Sequence, residues 1–231
     1  MTATSYLNSV RASYDAVAVD YARLVGADLA RRPLDRAVLA AFAESVRGDG
    51  GRAVADAGCG PGRMTAHLDG LGIRAFGVDL SPAMVAVARR SHPGLRFEVG
   101  SMAALDVADG VLGGVLAWYS TVHTPPSELP SLCAEFARVL APGGRVLVAF
   151  EVGDERVRLD HAYGRPVELD VYRNPPDLIA ALLAGAGLAE TARLIREPVD
   201  GESSPQGFLL ARRADPGPGS APDSSGSAPD I

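Results

Sequence analysis

Apolar residues return at helical spacing over residues 13–25, at Tyr14, Val17, Ala18, Tyr21, Leu24 and Val25, which predicts a helix there. Pro33 suits the first turn of a second helix that Gly48 can end, with Leu34, Val38, Phe42 and Val46 as its apolar stripe. From residue 53 the rhythm changes. Short apolar runs at 53–57, 75–78, 95–99, 114–118 and 146–150 read as strands, and helix-patterned segments separate them: 64–71, one opened by Ser81-Pro82, and 127–140. Alternating strands and helices predict an α/β, doubly wound, seven-stranded and mostly parallel sheet. A polar insert follows at 151–165, then an alternating run at 167–172 and an amphipathic helix at 175–187 carrying Leu178, Ile179, Leu182 and Leu183. Segments 188–197 and 206–213 read as a closing strand pair. The expected organisation is an N-terminal helical lid over 1–48, a core over 49–213 with a cap insert near 151–175, and a Pro/Gly/Ser-rich disordered tail over 214–231.

Composition narrows the function classes. All 22 basic residues are arginine, so lysine Schiff-base chemistry and a phosphate-binding lysine loop are excluded. Net charge is −6 with no basic cluster, which argues against nucleic acid as a partner. No run nears the ~18 apolar residues of a membrane helix, and residues 1–9 lack a leader pattern, so a cytoplasmic protein without a membrane partner is expected. Cys59 and Cys133 form no metal or disulfide pattern, and no metal is expected.

The chemistry centres on Val54-Ala55-Asp56-Ala57-Gly58-Cys59-Gly60-Pro61-Gly62, a strand running into a glycine turn before a helix. Such a turn lets backbone approach a ligand, with the free N–H groups of the next helix nearby. Its GxGxG spacing differs from the GxGxxG of dinucleotide binders. Asp56 ends the first strand, where a carboxylate can meet a cationic amine. Asp79 ends the second, where an acid can accept from ribose hydroxyls. One carboxylate for an amine and one for a ribose suit S-adenosylmethionine.

VADAGCGPGRMTAHL together with GVDLSPAMVAVAR closely resembles the class I S-adenosylmethionine-dependent methyltransferases of the small-molecule type, and the resemblance extends over roughly residues 10–213. It implies a Rossmann-like methyltransferase fold whose last strand is antiparallel, with N-terminal lid helices. It implies S-adenosylmethionine as cofactor, bound by Tyr14, Tyr21, Asp56, Gly58, Cys59, Gly60, Gly62, Asp79, Leu80, Met84, Ser101, Met102, Ala117 and Tyr119. Ser101 stands where many relatives carry an acid. His123, in the loop after the fourth strand, is the candidate general base. Of Trp118 and Tyr119, Tyr119 is expected to face the sulfonium and Trp118 the core, while His161 and Tyr163 are candidates to line a substrate cap. His67 and His92 are expected on outer helices as solvated or structural groups.

The reaction implied is movement of a methyl group to an O, N or C atom of a small molecule by in-line displacement. The acidic balance suits a neutral or cationic acceptor, and a monomer or homodimer is expected. Alternatives are a methyltransferase-fold enzyme of another class, such as a cyclase or decarboxylase, and a non-catalytic S-adenosylmethionine-binding protein. A nicotinamide dehydrogenase is disfavoured by the glycine spacing.

Overall fold

The computed structural model describes residues 3–26, 29–48, 50–199 and 201–215. The expected tail lies outside them from residue 216 onward. In chain order the elements are α1 (Ala3–Val25), α2 (Pro33–Gly48), β1 (Val54–Ala57), α3 (Arg63–Gly70), β2 (Ala75–Asp79), α4 (Pro82–Ser91), β3 (Arg96–Val99), β4 (Leu112–Trp118), α5 (Leu129–Val139), β5 (Leu140–Glu151), β6 (Arg156–Ala162), β7 (Arg165–Tyr172), α6 (Pro176–Gly185), β8 (Leu188–Arg196) and β9 (Gln206–Arg213).

Seven strands form one sheet in the order β3-β2-β1-β4-β5-β9-β8, with β9 antiparallel to both neighbours. The order reverses between β1 and β4, the switch point at which ligands bind in open α/β sheets. Residues alternate across the sheet. Ala55, Val115, Val146 and Leu209 face α5 and α6, whereas Val54, Leu116, Leu147 and Phe208 face α2 and α3. Burial of these two faces, each filled with aliphatic and aromatic side chains, is the main source of stability.

Several elements depart from the sequence expectation. The first helix starts at Ala3, ten residues early, because Tyr6 and Val10 continue the spacing of Tyr14, Val17 and Tyr21. The stripe of α2 runs through Asp35, Leu39, Phe42, Ala43 and Val46, and Leu34 is exposed. Its Phe42 and Val46 sit in one cluster with Val54 and Leu116, so α2 belongs to the packed core and a boundary at residue 48 divides one packed unit. On α6, Ile179 and Leu183 are buried while Leu178 is partly exposed, at 38%. The insert forms the antiparallel hairpin β6–β7, which packs Val167 and Leu169 against Val17 of α1. Residues Ala18 of α1 and Met84 and Val87 of α4 close the other side of that helix. Ser81 caps α4, accepting from the Met84 N–H at 3.1 Å, with Pro82 next as the sequence predicts.

Among the described residues no helix is long and apolar enough to cross a membrane.

Candidate active site

The carboxyl ends of β1, β2 and β4 carry the turn, an acid and a polar loop to one place. Gly58, Gly60 and Gly62 all have positive φ, at 80°, 54° and 84°. A Cβ on Gly58 would lie 2.3 Å from the Ser120 Cβ, so glycine there lets the turn touch the loop after β4. At Gly60 a Cβ would meet only the Tyr21 ring, at 3.8 Å, leaving backbone open towards the cavity. Gly62 is different. A Cβ there would strike Phe97 at 2.7 Å, so its role is helix–sheet packing.

Asp79 locks this turn. Its Oδ2 accepts from the Gly60 N–H at 2.8 Å and its Oδ1 from the Ser81 N–H at 2.8 Å. Burial pushes its pKa up, and those two backbone donors partly offset the rise. Asp56 is almost fully buried. Its Oδ2 accepts from the Thr65 hydroxyl at 2.6 Å, and its Oδ1 has no partner. Burial raises its pKa to about 7, against the pull of Thr65. A buried carboxylate oxygen without a donor is costly, and a cationic amine would supply what is missing.

The loop after β4 holds more unpartnered groups: the hydroxyls of Tyr119, Ser120, Thr121 and Thr124 are buried without hydrogen bonds. His123 sits among them, buried, and its Nδ1 lies 2.7 Å from the Asp170 carbonyl on β7. A carbonyl only accepts, so Nδ1 carries the proton and Nε2 is the acceptor. The Tyr14 hydroxyl donates to that Nε2 at 2.8 Å. Burial lowers the His123 pKa and raises that of Tyr14 well above the usual phenol, so both are neutral at pH 7. Above the site, Tyr21 stands edge-on to Tyr14 and to Tyr163, with centroids 5.9 and 4.9 Å away. The α1 helix is fastened in place by Asp15, which accepts from the Ser81 hydroxyl at 2.5 Å and the Ala83 N–H at 3.1 Å.

Most of the expected site residues meet here. Tyr14, Tyr21, Gly58, Gly60, Asp79, Leu80, Met84, Ser101, Met102, Tyr119 and His123 line one cavity. Asp56 and Cys59 line a smaller one beside the turn, along with Trp118. The Ser101 hydroxyl also accepts from the Ala103 N–H at 3.2 Å. Gly62 and Ala117 line neither; Ala117 is fully buried within β4, in the cluster that faces α5.

Trp118 and Tyr119 both line the first cavity. Trp118 is also buried in the core cluster beside Phe208, and the Tyr119 phenol lies in the field of Asp35, Arg196, Glu202 and Arg32. Tyr119 has φ +54°, so strand alternation does not carry through it. His161 is exposed on the hairpin and does not line the site, while Tyr163 reaches Tyr21. Among outer histidines, His67 has a buried Nε2 without a partner, and burial lowers its pKa. Ser120 and Thr124, in the loop after β4, line the cavity too, and the residues overlooked in the sequence are Tyr6, Leu7 and Val10 on the early turns of α1. The four-residue spacing Tyr6–Val10–Tyr14 was the available signal for them.

Residues 54–144 match the family model described as a methyltransferase domain. The chain is 32% identical over 133 residues to a malonyl-[acyl-carrier protein] O-methyltransferase of Erwinia billingiae, covering 56% of this chain and 52% of that protein. It is 34% identical over 143 residues to a trans-aconitate 2-methyltransferase of Methylobacterium nodulans, covering 60% and 50%. The chain thus spans about half the length of the curated relatives it matches. Among solved structures it is similar in fold to magnesium protoporphyrin IX methyltransferase from Synechocystis PCC 6803 with bound SAM. That match has a TM-score of 0.68 and 18% identity, and covers 90% of this chain and 97% of that one. A second fold match is 1,6-didemethyltoxoflavin-N1-methyltransferase of Burkholderia thailandensis, with a TM-score of 0.59, 23% identity, and coverage of 87% and 89%. Residues 54–144 thus form a methyltransferase domain by sequence, and the fold around the glycine turn is the one shared by methyltransferases of known structure.

Proposed function

We propose that this protein binds S-adenosylmethionine and moves a methyl group to an O, N or C atom of a small molecule by in-line displacement. One observation carries the reading: a buried, unpartnered Asp56 oxygen lies beside an open glycine turn, under a lid of tyrosines. When bound, the cofactor supplies a methyl group already activated on a sulfonium sulfur. The chain's own residues do the rest. Asp56 would hold the cationic amine, and Asp79, which holds the turn through Gly60 and Ser81, would offer its remaining lone pairs to ribose hydroxyls. The Gly100–Met102 segment and Met84 flank the base end of the cavity. Orientation of this kind can supply about 7–11 kcal/mol of a displacement barrier, more than general-base help usually gives.

His123 has one lone pair, and Tyr14 uses it. We infer that Tyr14 presents the polar atom at the cavity wall and that His123 holds it, taking a proton through the phenol oxygen when the acceptor must lose one. The Asp170 carbonyl fixes the imidazole tautomer this requires. α1 and the β6–β7 hairpin exclude water. Names of the relatives, malonyl-[acyl-carrier protein] and trans-aconitate methyltransferases among them, support methyl transfer as the activity class. The test is release of S-adenosylhomocysteine on incubation with a panel of small acids, amines and phenols. Acceptor-dependent release that Asp56→Asn abolishes is expected. Binding without release for any acceptor would favour a non-catalytic or different methyltransferase-fold activity.

A further inference from the structure

A second cavity adjoins the first, sharing Tyr21, Trp118 and Tyr119 with it. Its ionic groups are Arg32, Asp35, Arg63, Glu151 and Glu202. Every carboxylate among them is already matched. Asp35 accepts from Arg196 at 3.0 Å, and Glu202 accepts from Arg32 at 2.6 Å and from Arg196 at 2.5 Å. Glu151 accepts from Arg173 at 3.0 Å and lies 3.4 Å from the Ser204 hydroxyl. Arg32, Arg173 and Arg196 are thereby committed to these acids.

Arg63 stands apart. It is half-buried at the first position of α3, directly after the glycine turn, and lines both this cavity and the smaller one around Asp56. It makes no hydrogen bond or ion pair among the described residues. On the same wall the Tyr119 hydroxyl is buried and also without a partner. After internal pairing, the second cavity keeps a planar guanidinium and a phenol donor; the acid in Arg63's field, Asp56, lies in the smaller cavity and is the group assigned above to the cofactor amine. Guanidinium geometry matches a carboxylate, which can accept two parallel N–H bonds. Tyr21, Tyr163 and Trp118 supply flat apolar surface beside it.

We propose that the second cavity receives the methyl acceptor, and that the acceptor is a small organic acid whose carboxylate pairs with Arg63. This rests on the methyltransferase reading and narrows it to an acceptor class. It runs against the cationic or neutral acceptor suggested by the net charge of −6, because a ligand meets the charge left over in the cavity and not the sum over the chain.

The experiment uses three probes that share one ring and differ in charge: benzoate, benzamide and benzylamine. Saturation-transfer NMR reads their binding to the full chain, with and without saturating S-adenosylhomocysteine, in the wild type, Arg63→Gln and Arg63→Lys. Circular dichroism and melting confirm that each variant is folded. Benzoate is expected to bind at least tenfold more tightly than the amide, and the amine not at all. Arg63→Gln is expected to bring benzoate to within threefold of benzamide, and Arg63→Lys to retain part of the preference. Because Arg63 also lowers the Asp56 pKa, S-adenosylhomocysteine affinity is measured separately in each variant and the acid proposal is read from the benzoate-to-benzamide ratio alone. If S-adenosylhomocysteine binds but benzoate shows no preference, or keeps it in Arg63→Gln, the acid proposal is overturned and the methyltransferase reading stands. If S-adenosylhomocysteine fails to bind the wild type, that reading falls. Arg63-dependent benzoate binding by the free protein then still supports an acid site, and its absence overturns one.

Discussion

Asp56 makes cofactor binding pH-dependent with a sign the structure fixes. Its carboxyl titrates near 7 because burial outweighs the single Thr65 donor. A cationic amine binds the ionised form, so affinity should fall as pH drops below 7. Between about pH 7.5 and about pH 5.5 the ionised fraction falls from roughly three-quarters to roughly 3%, a loss of about 25-fold in affinity. Over this range the ligand's own α-amine, titrating near ~7.7–8.0, stays largely charged. In the free protein the linkage has the opposite consequence. The folded state favours the protonated carboxyl, so Asp56 costs nothing below about pH 4 and progressively lowers stability as pH rises through about 7, by about 4 kcal/mol at the limit. Calorimetric titration with S-adenosylhomocysteine at both pH values checks the binding side. Buffers of different ionisation enthalpy count the proton released. Asp79, also pushed up chiefly by burial, adds a slope of the same sign, so Asp56→Asn should be weaker overall and shallower, not flat. An Asp56→Asn profile as steep as the wild type, or a wild-type affinity independent of pH, would refute the assignment.

The other expectations concern single side chains. Asp79→Ala removes acceptors from Gly60 and Ser81, so it should weaken cofactor binding and lower the melting temperature together; an unchanged dissociation constant contradicts its role. His123→Ala should reduce turnover ~10²–10⁴-fold with cofactor affinity retained, and Tyr14→Phe should share much of that loss; a fall under threefold on the true acceptor across several pH values rules the pair out. Gly58→Ala forces a Cβ into Ser120 at a positive φ, with an expected cost of about 1–3 kcal/mol in denaturant unfolding, and a neutral effect would mean that the turn can move away from the loop.

What the sequence discloses is local, and the rest depends on contacts across the chain. Ser81-Pro82 announces the start of α4, and the glycine turn with Asp79 announces the cofactor end, because caps and positive-φ glycines act within a few residues. The mostly parallel sheet with an antiparallel last strand follows from the family resemblance and agrees with the observed pairing of β9. The partner of His123 was not legible: Asp170 lies 47 positions away on a hairpin whose docking depends on α1. Nor was the approach of both Trp118 and Tyr119 to one cavity, since two-residue alternation holds only while φ stays extended. Charge was the least legible. Asp35, at a core-facing position of α2, is buried against Arg196, 161 positions later, and that pairing, with those of Glu202 and Glu151, leaves Arg63 as the unmatched guanidinium of the second cavity.

The central claim is tested most directly by titrating the purified chain with S-adenosylmethionine and S-adenosylhomocysteine, with NADH as a control. Micromolar binding of the first two and none of NADH is the predicted result. Failure of both to bind would mean that the turn and Asp56 serve another ligand, and would contradict the account.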